Sequence, residues 1–316
     1  MKAVRFDEYG GVEVLHLAEV PTPAPGLGQV LVQVKAAGIN PGEANTRGGQ
    51  LQSLFPVVFP SGEGADFAGI VTEPGPDVAG PEAGDEVIGF TNKSASHAEY
   101  VLAGAEDLTA KPPSVPWEVA GSLFVVGLTA DAAVRAVGLA EGDTVVVCGA
   151  AGGVGSIAVQ LARLAGANVI GLASKPNHEW LAAHGVIPVS YGDGVAERIR
   201  QTAGKVDAFI DTFGEDYVEL AIDLGVEPSR IDTTANPSAG EEYGAIVVDL
   251  SWIISGADSE GSGAGPSAAV LAELAGHISA GQLEVPIAAT FPLAQVREAY
   301  ELLASGHVRG KVVLVP

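Results

Sequence analysis

The chain has 316 residues, 47% hydrophobic and 17% charged, with 39 acidic against 16 basic side chains and a formal charge of −23. That length favours two domains, and that charge repels a nucleic-acid backbone or an anionic membrane surface, so neither is expected as a partner. The composition is too apolar for disorder, no uncharged apolar run reaches the roughly 18–20 residues of a bilayer span, and a single cysteine rules out an internal disulfide. The opening MKAVRFDEYGG meets charged residues before any signal core forms, so a cytoplasmic protein is expected.

Residues 1–119 alternate short apolar runs with Pro and Gly punctuation: QVLVQVKAAGI, FAGIVTEPG, GDEVIGF and HAEYVLAG. This predicts an antiparallel, barrel-like domain with many turns. From residue 120 the rhythm changes. Strands at TVVVCGA, NVIGLAS, IPVSY and VDAFIDTFG alternate with helices at VGSIAVQLARLAG, PNHEWLAAHG and GVAERIRQTAG. Strands joined by helices of that length need crossover connections, hence a mostly parallel, doubly wound sheet over 120–258. The Gly- and Ser-rich ADSEGSGAGPSA, 257–268, reads as a flexible connection. Beyond it a helix (AAVLAELAGHISAG), an extended LEVPIAATF, a helix (AQVREAYELLASG) and the strand KVVLV contain no second glycine-rich bend. This tail, 259–316, is expected to return to the first domain and complete it, giving an α/β fold with an inserted parallel-sheet domain.

The chemistry starts at the bend Gly149, Ala150, Ala151, Gly152, Gly153, Val154, Gly155, set between the strand TVVVC and a helix with Val154, Ile157, Ala158, Leu161 and Ala165 on one face. Glycines there allow a tight turn, close approach of backbone to a pyrophosphate, and close packing of helix on strand, while the helix N-terminus offers free N–H groups and a positive dipole end. A purely structural turn is the alternative. Ala150 stands where the usual motif has its first glycine, which an alanine with negative φ can fill. About twenty residues on, where NAD-specific domains place an acid for the ribose 2′-hydroxyl, the chain has Ser174 and Lys175. With no carboxylate and a hydroxyl plus a cation, NADPH is expected over NADH, unless SKPN is an ordinary solvated turn. Cys148, inside an apolar run, reads as a small buried thiol.

Taken in order, AAGINPGEANTRGG, GADFAGIV, AGDEVIGF, SHAEYV, SLFVVGLTA, GAAGGVG, FIDTFG and VRGKVVLV resemble the zinc-independent quinone oxidoreductases of the medium-chain dehydrogenase/reductase superfamily, over essentially the whole chain. The resemblance implies a GroES-like β-barrel-type catalytic domain, a Rossmann NADP(H)-binding domain, an active site in the cleft between them, and a homodimer. It also implies where zinc-dependent relatives carry their catalytic ligands: here those places hold Asn40, Ala65 and Val125, none of which suits zinc, so no metal is expected. Without a Lewis acid, the reaction implied is hydride addition from NADPH to a quinone or to the β-carbon of an α,β-unsaturated carbonyl compound, whose conjugation disperses the charge. A dinucleotide-binding structural or sensing protein without turnover is the competing reading.

By the same resemblance Asn40 reaches the nicotinamide and the substrate, its amide donating to a carbonyl oxygen as charge builds there; otherwise it is a turn residue before Pro41. Thr129 lies near the nicotinamide or merely packs its helix. Gly152, Gly153 and Val154, with Ala150 in the bend, hold the pyrophosphate through backbone. Ser174, Lys175 and Tyr191 gather the 2′-phosphate. Asp211, Thr212 and Phe213 end a strand at the ligand-binding edge, Asp211 being structural or functional. Lys311 is either close to the cofactor or a surface charge at a strand start. Asn45 stands where some relatives line the substrate pocket with tyrosine. Arg47 is expected to pair with Glu43, and His97, His178 and His184 to lie at the surface. Trp117, Trp180 and Trp252 are expected as packing anchors.

Overall fold

A computed structural model describes residues 1–53, 56–248 and 267–316. The expected 258/259 boundary, Trp252 and most of the 257–268 connection lie outside the described residues. By internal packing the described chain divides into two units, residues 1–125 with 267–316, and residues 126–248.

The first unit begins with β1 (Lys2–Phe6), β2 (His16–Glu19), β3 (Gln29–Gly38), α1 (Pro41–Arg47), β4 (Ser61–Gly62), β5 (Asp66–Pro74), β6 (Glu86–Phe90), β7 (Tyr100–Gly104), β8 (Thr109–Ala110) and α2 (Trp117–Ala120), and reaches the first residues of α3 (Phe124–Ala136). Strand β3 organises it. Val30, Val32 and Val34 with Ala36, Ala37 and Gly38 give the strand a β-branched and small-residue run, most of its length is buried, and it pairs antiparallel with β5 along one edge and with β7 over residues 29–33 on the other. Val30, Val32, Val34, Phe67, Val71, Val87 and Val101 form the core beneath this sheet. Helix α1 follows β3 after Ile39 and the extended Asn40, because Pro41 at its first position fixes a helical φ and sacrifices an N–H that has no intrahelical partner there.

The second unit holds β9 (Thr144–Cys148), α4 (Gly153–Leu164), β10 (Asn168–Leu172), α5 (His178–Ala183), β11 (Ile187–Val189), α6 (Val195–Thr202), β12 (Ala208–Asp211), α7 (Tyr217–Asp223), β13 (Ile231–Thr233) and α8 (Pro237–Tyr243). The strands are parallel in the order β11-β10-β9-β12-β13. The order therefore runs outward in both directions from β9, which places the topological switch point at the carboxyl end of that strand. Val146, Cys148, Ile170, Leu172, Ile199, Phe209 and Ile231 form a common core. The buried side of α4 is Ile157, Ala158, Val159 and Ala162; Ala165, expected on that side, is exposed just past the helix end.

The tail comprises α9 (Ser267–Ser279), β14 (Ile287–Pro292), α10 (Val296–Ala304) and β15 (Lys311–Val315). It packs in the first unit. Strand β15 pairs with Ala37 and Gly38 at the end of β3, which gives the sheet order β14-β15-β3-β5-β6-β8, while β2-β1-β4 forms a separate small sheet. Tyr300 and Val296 of α10 pack with Val4, Phe6, Ile39, Val312 and Leu314. Among the described residues no helix is long and apolar enough to cross a membrane.

Candidate active site

At the carboxyl end of β9, Gly149 has a φ of 65°, a left-handed conformation that an L side chain resists, and a Cβ there would also lie 2.6 Å from Thr212 Oγ1. Gly155 is needed for a different reason. A Cβ on it would lie 2.2 Å from the Gly149 carbonyl oxygen, so only glycine lets α4 seat this closely on the bend. Ala150 is fully buried without a positive φ, so the departure from the usual first glycine is accommodated. Gly152 caps α4 without a side chain, which leaves the N–H groups of Gly153, Val154 and Gly155 in the first turn with no intrahelical partners and no side-chain cap. A twelve-residue helix presents its positive end at this switch point. These features fit a diphosphate.

The neighbouring strand ends supply the other expected residues. Ser174 and Lys175 follow β10 and Tyr191 follows β11, and because β10 and β11 are paired, all three emerge along the same sheet edge. Ser174 Oγ accepts from Asn177 Nδ2 at 3.2 Å, Lys175 is exposed, and Tyr191 is 48% exposed. Arg198 of α6, which the sequence did not single out, donates to the carbonyls of Ser190, Tyr191, Gly192 and Asp193 and so fixes the loop that carries Tyr191. Nothing in its spacing advertises this, because the partners are backbone oxygens.

On the other side of β9, Asp211 is fully buried at the end of β12. Its Oδ1 accepts from the Cys148 thiol at 2.8 Å and from the N–H groups of Phe213 and Gly214 at 3.0 and 2.9 Å, and its Oδ2 accepts from Thr233 Oγ1 at 2.7 Å. With four donors its carboxylate is an anchor that shapes the 211–214 turn. Thr212 Oγ1 donates to the Cys148 carbonyl at 2.8 Å, and Phe213 is left 53% exposed at the edge. Burial, aided by the Asp211 carboxylate, pushes the Cys148 thiol well above its ordinary value, so it is inert. Thr129 is buried on α3.

The first unit contains a separate buried polar network. Asn40 precedes α1, and Glu43 reaches back from the third helical position to its N–H at 2.8 Å. Glu43 also accepts from Asn40 Nδ2 at 3.2 Å, from the Ala65 N–H at 3.1 Å and from Tyr300 OH at 2.8 Å. The second amide proton of Asn40 goes to Asp66 Oδ2 at 3.3 Å, and its Oδ1 accepts from Lys311 Nζ, which also donates to Ile39 O at 2.9 Å. Every polar atom of the Asn40 side chain is thus engaged, the two amide N–H bonds being the long ones. Burial pushes Asp66 up to about 7, with Lys311 drawing it down and Glu43 adding to the rise, and burial pulls the Lys311 ammonium below its ordinary value.

Two expectations fail in this unit, and of the two readings of Lys311 the surface one is ruled out. Arg47 is buried and pairs with Glu63, while its guanidinium lies 4.5 Å from the centre of the Tyr300 ring; Glu43 is occupied by Asn40 and Tyr300 instead. His97 is 1% exposed, with Nε2 3.1 Å from the Gly38 carbonyl, and burial lowers its pKa so the ring is neutral. Lys311 is 3% exposed, so it is no surface charge. His178 and His184 are half-buried, with His178 Nε2 against the Ala173 carbonyl and His184 Nδ1 against the Trp180 carbonyl. Trp117 and Trp180 are half-buried, Trp117 beneath the Lys111 ammonium and Trp180 against the His184 ring. Asn45 is exposed on α1. The structure therefore joins Asn40 to Lys311, gathers the bend with Ser174, Lys175, Tyr191, Asp211, Thr212 and Phe213 along one sheet edge, and adds Glu43, Asp66, Tyr300 and Arg198. The Asn40-Pro-Gly-Glu43 spacing of a capping box was the readable sign of Glu43. Among the described residues no three His, Cys, Asp or Glu side chains are grouped to hold a metal ion.

Two family profiles match the chain, one described as an alcohol dehydrogenase GroES-like domain over residues 26–175 and one as a zinc-binding dehydrogenase over residues 181–314. A quinone oxidoreductase of Pseudomonas aeruginosa is 30% identical over 100% of this chain and 99% of its own length. A chloroplastic NADPH-dependent alkenal/one oxidoreductase of Arabidopsis thaliana is 28% identical over 100% of this chain and 80% of its own. The crystal structure of Escherichia coli quinone oxidoreductase complexed with NADPH superposes with a TM-score of 0.87 at 25% identity, covering 100% of both chains.

Proposed function

The chain belongs to the quinone oxidoreductases of the medium-chain dehydrogenase/reductase superfamily, and from that premise we propose that it is an NADPH-dependent, zinc-free reductase of quinones or α,β-unsaturated carbonyl compounds. The observation that carries this reading is the uncapped first turn of α4 at the switch point, packed so tightly through Gly155 that backbone amides rather than side chains face the ligand. The reduced nicotinamide, when bound, supplies the hydride. The chain's own residues bind and orient. Gly152, Gly153 and Val154, beside Ala150, offer backbone to the pyrophosphate, and the turn shaped by Asp211 sets Thr212 and Phe213 at the same edge. Ser174, Lys175 and Tyr191 supply a hydroxyl, a cation and a phenol to a 2′-phosphate, which favours NADPH over NADH. Thr129 and Lys311 complete the nicotinamide end of the reading.

Asn40 is the residue we assign to the reacting carbonyl, with Asn45 at the pocket rim. Its long amide bond to Glu43 exchanges for the substrate oxygen as negative charge develops there, while the bond to Asp66 stays in place and Lys311 keeps the amide carbonyl turned away. The zinc-free assignment rests on the donor set, since Asn40, Ala65 and Val125 supply no imidazole, thiolate or carboxylate. A cytoplasmic homodimer belongs to the same reading, and sedimentation at micromolar concentration tests the dimer. The reading without turnover is disfavoured because relatives matched over this whole chain are named as oxidoreductases. The functional test follows NADPH oxidation with p-benzoquinone and a panel of enones beside a fluorescence titration of NADPH. Turnover with either class supports the proposal; binding without oxidation of any acceptor returns the protein to the sensing class, and no binding removes the dinucleotide site.

A further inference from the structure

Asp66, the first residue of β5, has no exposed surface, yet its two oxygens hold two separate parts of the first unit. Oδ2 accepts from Asn40 Nδ2 at 3.3 Å, and Oδ1 accepts from the backbone N–H of Val125 at 3.1 Å. Val125 is the second residue of α3. The residue before that helix is Leu123, which has no side-chain oxygen, so the first turn cannot be capped locally in the usual way. A carboxylate 59 positions away does it instead, at the positive end of the helix dipole. Thr129 follows one turn later on the same helix. On the other side, Asn40 has only one orientation that suits its surroundings: carbonyl toward the Lys311 ammonium, N–H groups toward Glu43 and Asp66. Lys311 of β15 and Glu43 of α1 are the charged groups that act on Asp66.

We propose that Asp66 is a positioning residue for the reductase reaction, one buried carboxylate that fixes the Asn40 amide and the first turn of α3 together. The inference rests on the assignment of Asn40 to the reacting carbonyl. Only a carboxylate can fill both places. An amide of the same shape has one acceptor and one donor end, so asparagine at position 66 opposes N–H to N–H either at Asn40 or at Val125, and a buried donor is left without a partner.

The test is a double-mutant cycle on the full-length protein at about pH 8, where Asp66 is a carboxylate, reading kcat and KM for p-benzoquinone and the NADPH dissociation constant. Asp66→Asn is expected to lower kcat about tenfold with NADPH affinity within about twofold, and to lower it less than about threefold when Asn40→Ala is already present, because residues acting as one unit are not additive. The same factor in both backgrounds, or an unchanged kcat in Asp66→Asn, overturns the proposal. Should Asp66→Asn fail to fold, Asp66→Ser gives the same reading: its hydroxyl stands about one bond short of both Asn40 and Val125 and introduces no misdirected amide N–H, so kcat is expected to fall about tenfold with NADPH affinity within about twofold. Asp66→Ser with native kcat overturns the proposal. An inactive native protein, or an Asn40→Ala variant with unchanged kcat, instead overturns the assignment of Asn40 and the inference with it.

Discussion

Asp232 offers a sharp test of the buried electrostatics, because among the described residues no side chain pairs with its carboxyl group. It lies on β13, fully buried, with the Val248 backbone acting on it as a donor. Burial pushes its pKa up to about 7, the Asp211 carboxylate adds to the rise, and the Val248 backbone offsets only part of it. An unfolded aspartate titrates near about 3.9. Between those values the folded chain holds a proton that the unfolded chain has released, so stability falls as pH rises from about 4 to about 7 and is flat above. Three units at 1.36 kcal/mol each make the loss about 4 kcal/mol. Asp232→Asn keeps the shape and removes the titration. Urea denaturation followed by circular dichroism should therefore find the variant more stable than the native chain by up to about 4 kcal/mol near pH 8, with the gap closing toward about pH 4. A gap that does not change with pH, or a variant less stable than native at pH 8, refutes the reasoning and means that the carboxylate has a partner in solution.

The remaining predictions concern the dinucleotide site and the first unit. Gly155→Ala must push α4 off the bend, since its Cβ would sit 2.2 Å from the Gly149 oxygen; NADPH titration should show binding lost, and native affinity would mean the bend does not hold the diphosphate. Lys175→Ala should weaken NADPH by about 1–3 kcal/mol and leave NADH unchanged; equal weakening of both cofactors in calorimetry removes Lys175 from the 2′-phosphate. Burial pushes Glu63 up to about 8 even beside Arg47, so above about pH 8 Arg47→Met leaves a buried carboxylate without its cation and should destabilise the chain by about 3–5 kcal/mol, much of it recovered when Glu63→Gln is added. A double variant no more stable than Arg47→Met shows that lost packing on Tyr300, and not the stranded charge, sets the loss.

What the sequence made legible was whatever local pattern and backbone geometry determine. The β9 strand, its glycine bend and α4 declare themselves because strand periodicity, a positive-φ glycine and helical spacing lie within a single short window. The switch-point position of that bend follows from strands and helices alternating on either side. Partners far apart in sequence were not legible. Arg47 and Glu43 are four residues apart on a short helix and invite pairing, but α10 brings Tyr300 onto Glu43 and the chain at residue 63 brings Glu63 onto Arg47, and tertiary placement wins. His97 looked like a surface residue because a polar side chain at the start of an apolar strand usually is one; here its ring meets the last carbonyl of β3, a partner 59 residues away.

The scarcity of cations carries a related lesson about electrostatics. In a chain with 16 basic against 39 acidic residues, any lysine near a phosphate site invites a ligand role. Burial separates the cases. Lys111 is 7% exposed and pairs with the solvent-facing Glu86 over the Trp117 ring, and Lys311 is 3% exposed and balances the buried Asp66 together with Glu43, so both ammonium groups are committed to partners within the chain. Lys175 is exposed at the sheet edge, beside Ser174. A cation that attracts a solvated phosphate must itself remain solvated enough to keep its charge and move to the ligand, and among these three lysines only Lys175 meets that condition. Net charge therefore says which partners the whole surface repels, whereas burial says which individual charges remain free to bind.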